Sequence, residues 1–180
     1  AKVMYSIPAD TAYKRMLQPS DNFIAEQLLL VTASELGKPL NSDSVIEKMK
    51  TEHLSMLSRE PQWVDGSGLS RYNMVTPRSM ITLLEAIDAE FDDNQNLYKL
   101  LPAGGERGTI EDWYAAQDGG DPYVFAKTGT LSNNHSLSGY VVTESGKTLL
   151  FSFMNNHYVS SSSVVKKAMN KVLWYIHERY

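Results

Sequence analysis

Three short stretches of this sequence combine residue types that could act together on a peptide. Ser20–Asn22 offers a hydroxyl and a side-chain amide, Asp65–Arg71 places a serine between two glycines, and Lys127–Thr130 reads Lys-Thr-Gly-Thr. In the third stretch, a lysine could supply a positive field beside a reacting centre, and two hydroxyls could bind a substrate carboxylate. A glycine between them would let a ligand backbone lie against the strand edge. These residue types indicate a site for the end of a peptide chain.

Each stretch also has a purely structural explanation. Ser, Asp and Asn are favoured helix caps, and Lys127 could be a charged edge residue before a turn. The glycines on either side of Ser67 could serve only a tight turn. They do not form the nucleophile elbow Gly-x-Ser-x-Gly, because Asp65 stands two positions before the serine. Arg71 could clamp a carboxylate, or it could be one more exposed arginine.

Taken together, the stretches are far more specific than any one of them. Ser-Asp-Asn followed by Lys-Thr-Gly gives two of the three motifs of penicillin-recognising serine enzymes. The sequences of three segments resemble the D-alanyl-D-alanine carboxypeptidase/endopeptidase family of low-molecular-mass penicillin-binding proteins. These segments are Ser20–Glu26, Asp65–Arg71 and Ala126–Leu131. The segment Leu137–Lys147 looks like that family's terminal hairpin. The resemblance covers most of the chain, from about residue 14 to residue 180.

The resemblance implies acyl transfer at a D-Ala-D-Ala peptide bond. A serine attacks the carbonyl, D-Ala leaves, and water or another amine resolves the acyl-enzyme. By this resemblance, the catalytic residues in the chain would be Ser20, Asn22 and Lys127. Ser20 would relay a proton to the leaving amine, Asn22 would hold the substrate amide, and Lys127 would support the relay and attract the terminal carboxylate.

The resemblance also implies which residues bind the substrate. Thr128 and Thr130 would hold the terminal carboxylate, with Gly129 between them, and Arg71 would bind a substrate carboxylate. The backbone N–H of Thr130 would be one of two oxyanion donors, a contribution worth roughly 10²–10³ in rate. The ligands would be peptidoglycan stem peptides and β-lactams, and the compartment would be periplasmic or extracytoplasmic.

The third family motif, Ser-x-x-Lys, does not stand upstream of Ser20. Only 19 residues precede this serine, and Thr11–Lys14 has the spacing with the wrong nucleophile. Ser163–Lys166 matches the Ser-x-x-Lys pattern, but it lies after the Lys-Thr-Gly-Thr motif and not before Ser20. We therefore interpret it as a helix cap and an exposed lysine. We therefore expect the chain to be the C-terminal part of a longer enzyme. The N-terminal remainder would supply the nucleophile, its lysine base and further strands of the sheet.

Composition limits the other classes of function. The net charge of -4 and the scattered basic residues argue against a nucleic-acid partner. There is no cysteine, and the four histidines stand singly without ligand spacing, so we expect surface or half-buried histidines, no metal site and no cofactor. No apolar run approaches the roughly 20 residues of a membrane span, and Ala1–Tyr5 does not resemble a signal peptide.

The predicted order of helices and strands gives an α+β fold, and the resemblance implies that residues 1–180 are the C-terminal portion of a penicillin-binding transpeptidase-like domain. The helical part covers about residues 10–115, and the sheet and terminal helix cover about residues 120–180. Capping patterns predict one helix from Asn22 to about Glu35, a second opened by a capping box at Ser44–Glu47, and a third after Thr76-Pro77. The N-cap of the first would be Ser20 or Asp21.

The last third of the chain predicts an antiparallel sheet of about three strands with a covering C-terminal helix. Alternating or apolar runs place the strands at Tyr123–Lys127, Leu137–Val142 and Thr148–Met154. Glu144–Lys147 would form a hairpin turn, and Ser160–Ser163 would cap the final helix. The resemblance implies a β-lactamase/transpeptidase-like fold. Where strands of the N-terminal remainder would pair, we expect an exposed edge that could drive self-association.

Three other functions remain open at this point. The chain could be a binding module that keeps the carboxylate-recognising strand without chemistry. It could be a structural domain whose motifs are only caps and turns. It could also belong to a β-lactamase-like hydrolase, which shares these motifs and differs in how fast water resolves the acyl-enzyme.

Overall fold

Helices come first in the chain, followed by a sheet and one long helix. The computed structural model describes residues 7–180, including every side chain except those of Asn94 and Asp118. The segment Ala1–Tyr5, which does not resemble a signal peptide, lies outside the described residues. The α-helices of the described part are α1 Ala9–Leu17, α2 Asn22–Glu35, α3 Ser42–Glu52, α4 Pro77–Asp88, α5 Asn94–Tyr98 and α6 Ser162–Arg179. The strands are β1 Val124–Leu131, β2 Asn134–Val142 and β3 Thr148–Asn156, and short 3₁₀ turns lie at Gly108–Ile110 and Gln117–Gly119.

Side-chain caps decide where the early helices begin. The Asp21 carboxylate accepts a hydrogen bond of 3.1 Å from the backbone N–H of Ile24, so Asp21, and not Ser20, caps α2. Thr76 caps α4, with proline in its first turn as predicted. The predicted capping box is wrong for α3. Asn41 accepts from the N–H of Ser44 at 2.9 Å, and the helix begins at Ser42 because this earlier cap satisfies one of its free N–H groups.

The sheet is antiparallel in the order β1-β2-β3, and it confirms the predicted α+β class. Strand β1 continues four residues past the predicted end at Lys127. It extends to Leu131, which pairs with Asn134 across a two-residue turn. Asn133 in this turn has φ 63°, a left-handed conformation that asparagine tolerates. The whole Lys-Thr-Gly-Thr motif is consequently held inside a strand.

Each face of the sheet packs against helices. Helix α6 covers one face, where the buried side chains are Val124, Ala126, Leu137, Met169 and Leu173 together with their neighbours. The other face contacts α4 and α5 through the cluster around Tyr98, Leu101 and Tyr140. Burying one such apolar side chain contributes about 1.5–3 kcal/mol. Strand β1 is thereby fixed between two packed layers.

The N-terminal helices have a core of their own. Leu29 and Ala33 of α2 pack on Val45 and Ile46 of α3. The turn before α2 reaches the sheet, where Ser20 contacts Lys127 of β1.

Candidate active site

A cleft of about 550 Å³ lies between the N-terminus of α2 and the edge strand β1. Three of the sequence motifs line it. They contribute Ser20, Asp21, Asn22, Gly66, Ser67, Gly68, Lys127, Thr128, Gly129 and Thr130. Residues separated by more than one hundred positions thus share one concave surface, which is the usual form of a small-ligand site.

Lys127 and Ser20 face each other across this cleft. The Lys127 ammonium donates to Ser20 Oγ at 2.6 Å and to the carbonyl of Thr128 at 3.0 Å. Burial lowers the pKa of Lys127, because removing the ammonium from water disfavours the charged form. A partly buried lysine with a lowered pKa beside a serine hydroxyl has the chemistry of a proton relay.

The conformation of Ser20 is unusual for a residue with a side chain. Its φ is 62°, in the left-handed region, which costs roughly 1–2 kcal/mol for a residue other than glycine. The surrounding loop is held on both sides: Asp21 N–H donates to Met16 O at 3.0 Å, and Thr109 N–H donates to Gln18 O at 3.1 Å. Backbone strain of this kind, fixed by its surroundings, concentrates at functional sites.

Side chains of β1 alternate between two faces of the strand, so Thr128 and Thr130 lie on the same face. Thr128 Oγ1 lies 2.8 Å from Thr109 Oγ1, and Thr130 Oγ1 lies 2.8 Å from His135 Nδ1. At Gly129, a Cβ atom would come within 2.7 Å of the hydroxyl of Ser136, which would have to move to admit a side chain. Since β1 is an edge strand of the sheet, its outer backbone groups are available to an extended ligand.

The loop Asp65–Arg71 is anchored by one carboxylate. Asp65 accepts from the N–H of Gly68 at 2.6 Å, from that of Ser70 at 2.8 Å, and from the Asn73 amide at 3.0 Å. Burial by itself would raise the pKa of the Asp65 carboxyl, but these hydrogen bonds outweigh it and hold the pKa below its ordinary value. The turn therefore keeps a negative charge that its own N–H groups satisfy.

The same loop is docked on α2, the helix that begins directly after Ser20 and Asp21. The N–H of Ser67 donates to the Glu26 carboxylate at 3.0 Å. A Cβ at Gly66 would lie 2.7 Å from the carbonyl of Ala25, so only glycine permits this close approach. Arg71 is exposed, and its guanidinium reaches Ser132 O at 3.4 Å, beside the turn that ends β1. It does not line the cleft itself.

Two basic residues that line the cleft, Lys166 and His135, are not among the predicted site residues. Lys166, which we interpreted as exposed, is partly buried; its ammonium lies 4.9 Å from the centroid of the Trp113 ring, and it lines the cleft. His135 is only 1% exposed, so the expectation of a surface or half-buried histidine is wrong. Burial lowers its pKa, and the charge of Lys166 lowers it further.

Signals for both residues exist in the sequence. Lys166 precedes the core residues Met169 and Leu173 at helical spacing, which places it on the buried face of α6. His135 follows a two-residue turn, so its register opposite Thr130 could be counted from the hairpin.

Neither a metal centre nor a membrane-spanning helix was found in residues 7–180. That part of the chain has no group of three His, Cys, Asp or Glu side chains arranged to hold a metal ion. None of its helices combines the length and the apolar character needed to cross a bilayer.

Residues 2–176 match the D-Ala-D-Ala carboxypeptidase 3 (S13) family. The chain belongs to this family. It is 29% identical over 177 residues to carboxypeptidase DacB of Mycolicibacterium smegmatis, covering 93% of this chain and 38% of that protein. It is 31% identical over 167 residues to D-alanyl-D-alanine carboxypeptidase DacB of Haemophilus influenzae, covering 85% and 33%. The S13 chain therefore spans about two fifths or less of the length of these relatives.

Solved structures give the S13 chain the same fold. Penicillin-binding protein 4 (DacB) of Haemophilus influenzae, complexed with a β-lactam, superposes with a TM-score of 0.81 at 25% identity, covering 96% of this chain and 42% of that one. A class A β-lactamase of Bacteroides cellulosilyticus superposes with a TM-score of 0.66 at 17% identity, covering 96% and 64%. The latter likeness shows the fold alone, and it confirms the predicted β-lactamase-like architecture.

Proposed function

We propose that the chain is the C-terminal part of a serine-type D-Ala-D-Ala carboxypeptidase or endopeptidase that acts on peptidoglycan stem peptides. The observation that carries this proposal is the 2.6 Å contact between Lys127 Nζ and Ser20 Oγ across a cleft, in a member of the S13 family. The proposed mechanism takes its nucleophile from outside these 180 residues.

In the proposed reaction, the serine oxygen of the nucleophile bonds to the carbonyl carbon of the penultimate D-Ala. The C–N bond to the terminal D-Ala then breaks, and water later hydrolyses the ester. The leaving amine needs a proton, and Ser20 relays it with Lys127 behind it, which the 2.6 Å contact supports. Asn22, at the exposed start of α2, holds the substrate amide.

The terminal carboxylate of the substrate lies along β1. The hydroxyls of Thr128 and Thr130 donate to it, and the Lys127 ammonium contributes the positive field. Gly129 lets the substrate backbone approach the strand, while the Thr130 N–H stabilises the oxyanion. Arg71, near the end of the strand, binds a second carboxylate of the stem peptide.

Carboxylate recognition can be tested without the nucleophile. N-acetyl-D-Ala-D-Ala and its C-terminal amide are titrated calorimetrically against the chain and against Lys127→Ala. We expect the acid to bind more tightly than the amide, and Lys127→Ala to weaken only the acid, by roughly 10–100-fold, as for loss of a charge-assisted hydrogen bond. Lys171→Ala, at an exposed position on α6, is the matched control. Equal affinity of the unsubstituted chain for acid and amide would overturn the proposal.

A second candidate function is a binding module that grips D-Ala-D-Ala peptides without cleaving them. The observation that favours it is that Lys127, its contact with Ser20 and the edge strand β1 are held together within this chain. Both functions predict binding of the acid, but only the enzyme needs a partner segment that supplies a nucleophile. Restored peptide cleavage on adding an upstream Ser-x-x-Lys segment would decide for the enzyme.

The place of action follows from the proposed substrate. Peptidoglycan stem peptides lie outside the cytoplasmic membrane, so we propose a periplasmic or otherwise extracytoplasmic location. A fusion of the parent protein to a reporter that is active only outside the cytoplasm would test it. A reporter signal from the cytoplasm alone would contradict this location.

A further inference from the structure

A buried histidine stands behind the carboxylate-binding strand and has no part in the reaction proposed above. His135 of β2 is paired with Thr130 of β1, and its Nδ1 lies 2.8 Å from the Thr130 hydroxyl, which faces the cleft. Its Nε2 is buried and has no hydrogen-bond partner within the described part of the chain. The ring of this buried histidine therefore makes one hydrogen bond, to a hydroxyl that faces the cleft. A buried nitrogen without a partner is uncommon and needs a physical reason.

The hydrogen bond between His135 and Thr130 can run in two directions, with opposite consequences for a ligand. If Nδ1 carries the proton, the ring donates to Thr130 Oγ1, and the threonine proton is free for a carboxylate. If Nε2 carries it, Thr130 must donate to Nδ1, and its hydroxyl then offers a carboxylate only lone pairs. The second arrangement also buries an N–H without an acceptor, and orphaned donors are the rarer kind in proteins.

The charged form of the ring is disfavoured at this position. Burial lowers the pKa of His135, and Lys166, which reaches the same cleft from α6, lowers it further. A base that activated Thr130 as a nucleophile would have to hold a positive charge here. The surroundings of His135 therefore suit a neutral ring that orients a hydroxyl, not a general base.

We infer that His135 is a positioning residue of the carboxylate subsite: in its Nδ1–H form it donates to Thr130 Oγ1 and directs the Thr130 proton toward the terminal carboxylate of a peptide. The identity of this ligand rests on the proposed function. The state of the ring does not, because it follows from contacts within the chain.

Two measurements test the inference. The first is a two-bond ¹H–¹⁵N correlation spectrum of the labelled chain, with the His135 signals assigned by their loss in His135→Leu. We expect a protonated, pyrrole-type Nδ1 and a pyridine-type Nε2. The second is the affinity for N-acetyl-D-Ala-D-Ala and for its amide in His135→Leu, His135→Asn and the exposed control His53→Gln, with folding checked by circular dichroism.

In His135→Leu we expect about tenfold weaker binding of the acid and unchanged binding of the amide, because the Thr130 hydroxyl stays but is no longer held with its proton toward the carboxylate. His135→Asn, whose amide can donate from near the Nδ1 position, should retain most of the affinity. An Nε2–H form, full acid binding in His135→Leu, or equal losses for acid and amide would each overturn the inference. If the unsubstituted chain does not prefer the acid, the proposed function fails, and the form of the ring alone decides the inference.

Discussion

The Lys127 ammonium donates a 2.6 Å hydrogen bond to Ser20 Oγ, although the two residues are 107 positions apart. The contact joins the middle of β1 to the strained turn before α2. Both partners are held by packing: β1 lies between two layers of helices, and the Ser20 turn is hydrogen-bonded to its neighbours. In the proposed function these two residues form the proton relay, and both of them are positioned by contacts within this chain.

The chain by itself should form no stable acyl-enzyme with a β-lactam. It has no Ser-x-x-Lys upstream of Ser20, and loss of a nucleophile leaves only the residual catalysis of binding and oxyanion stabilisation. Intact-mass spectrometry after incubation with a labelled penicillin should show the unmodified mass. A covalent adduct mapped to any serine of this chain would refute this prediction.

Replacing Lys127 by methionine should cost little stability while it removes binding of the carboxylate. Burial lowers the pKa of Lys127, which means that the folded state disfavours its charge, and methionine has a similar unbranched shape. We expect the free energy of unfolding in urea to stay within about 1 kcal/mol of the unsubstituted value, as at many functional sites. Lys171→Met serves as the surface control. A loss above about 2 kcal/mol would assign Lys127 a structural role instead.

Ser20→Gly should be more stable than Ser20→Ala. Both variants lose the hydroxyl that contacts Lys127, but only glycine adopts a φ of 62° without steric cost. We expect a difference of about 1 kcal/mol in the free energy of unfolding, in favour of glycine. Chemical denaturation of the two variants under the same conditions measures it. Equal stabilities would mean that the turn before α2 relaxes freely and holds no strain.

Stability should fall as the pH drops below about 6.5, the ordinary pKa of histidine. The pKa of His135 is lowered in the folded state, chiefly by burial, so the unfolded chain takes up the proton first. Protonation then favours unfolding from the ordinary pKa down to the folded one, by at most about 1.4 kcal/mol for each pH unit. Urea midpoints at pH 7.5 and 5.5 should differ less in His135→Leu than in the unsubstituted chain or in His53→Gln. An unchanged difference in His135→Leu would exclude His135 as the cause.

Asp65→Ala should destabilise the loop that forms one wall of the cleft. Its carboxylate accepts hydrogen bonds from Gly68, Ser70 and Asn73, and removing it leaves these donors without their partner. We expect a loss of about 2–4 kcal/mol in the free energy of unfolding. Asp92→Ala, at an exposed position, should be nearly neutral. A loss below about 0.5 kcal/mol for Asp65→Ala would indicate that the loop keeps its form without the carboxylate.

Local chemistry allowed the sequence to predict several elements. The cap at Thr76 followed by proline marks α4, and the polar residues before Asn22 mark α2, because a cap needs only neighbours within four positions. The α3 start was missed because two capping patterns overlap there, and the Asn41 cap precedes the capping box at Ser44–Glu47. The end of β1 was missed because Thr-Gly-Thr carries little apolar signal, whereas pairing with β2 holds those residues in the sheet.

The residue types of the motifs and their order were fixed by the sequence alone, and they sufficed to suggest the family. Which side chains meet was decided by tertiary structure. Lys127 contacts Ser20 of another element, and His135 of β2 is buried behind Thr130 of β1. Lys166 reaches the same cleft from α6. Distances of this kind depend on how helices pack on the two faces of a sheet, and no local preference of the backbone specifies that packing.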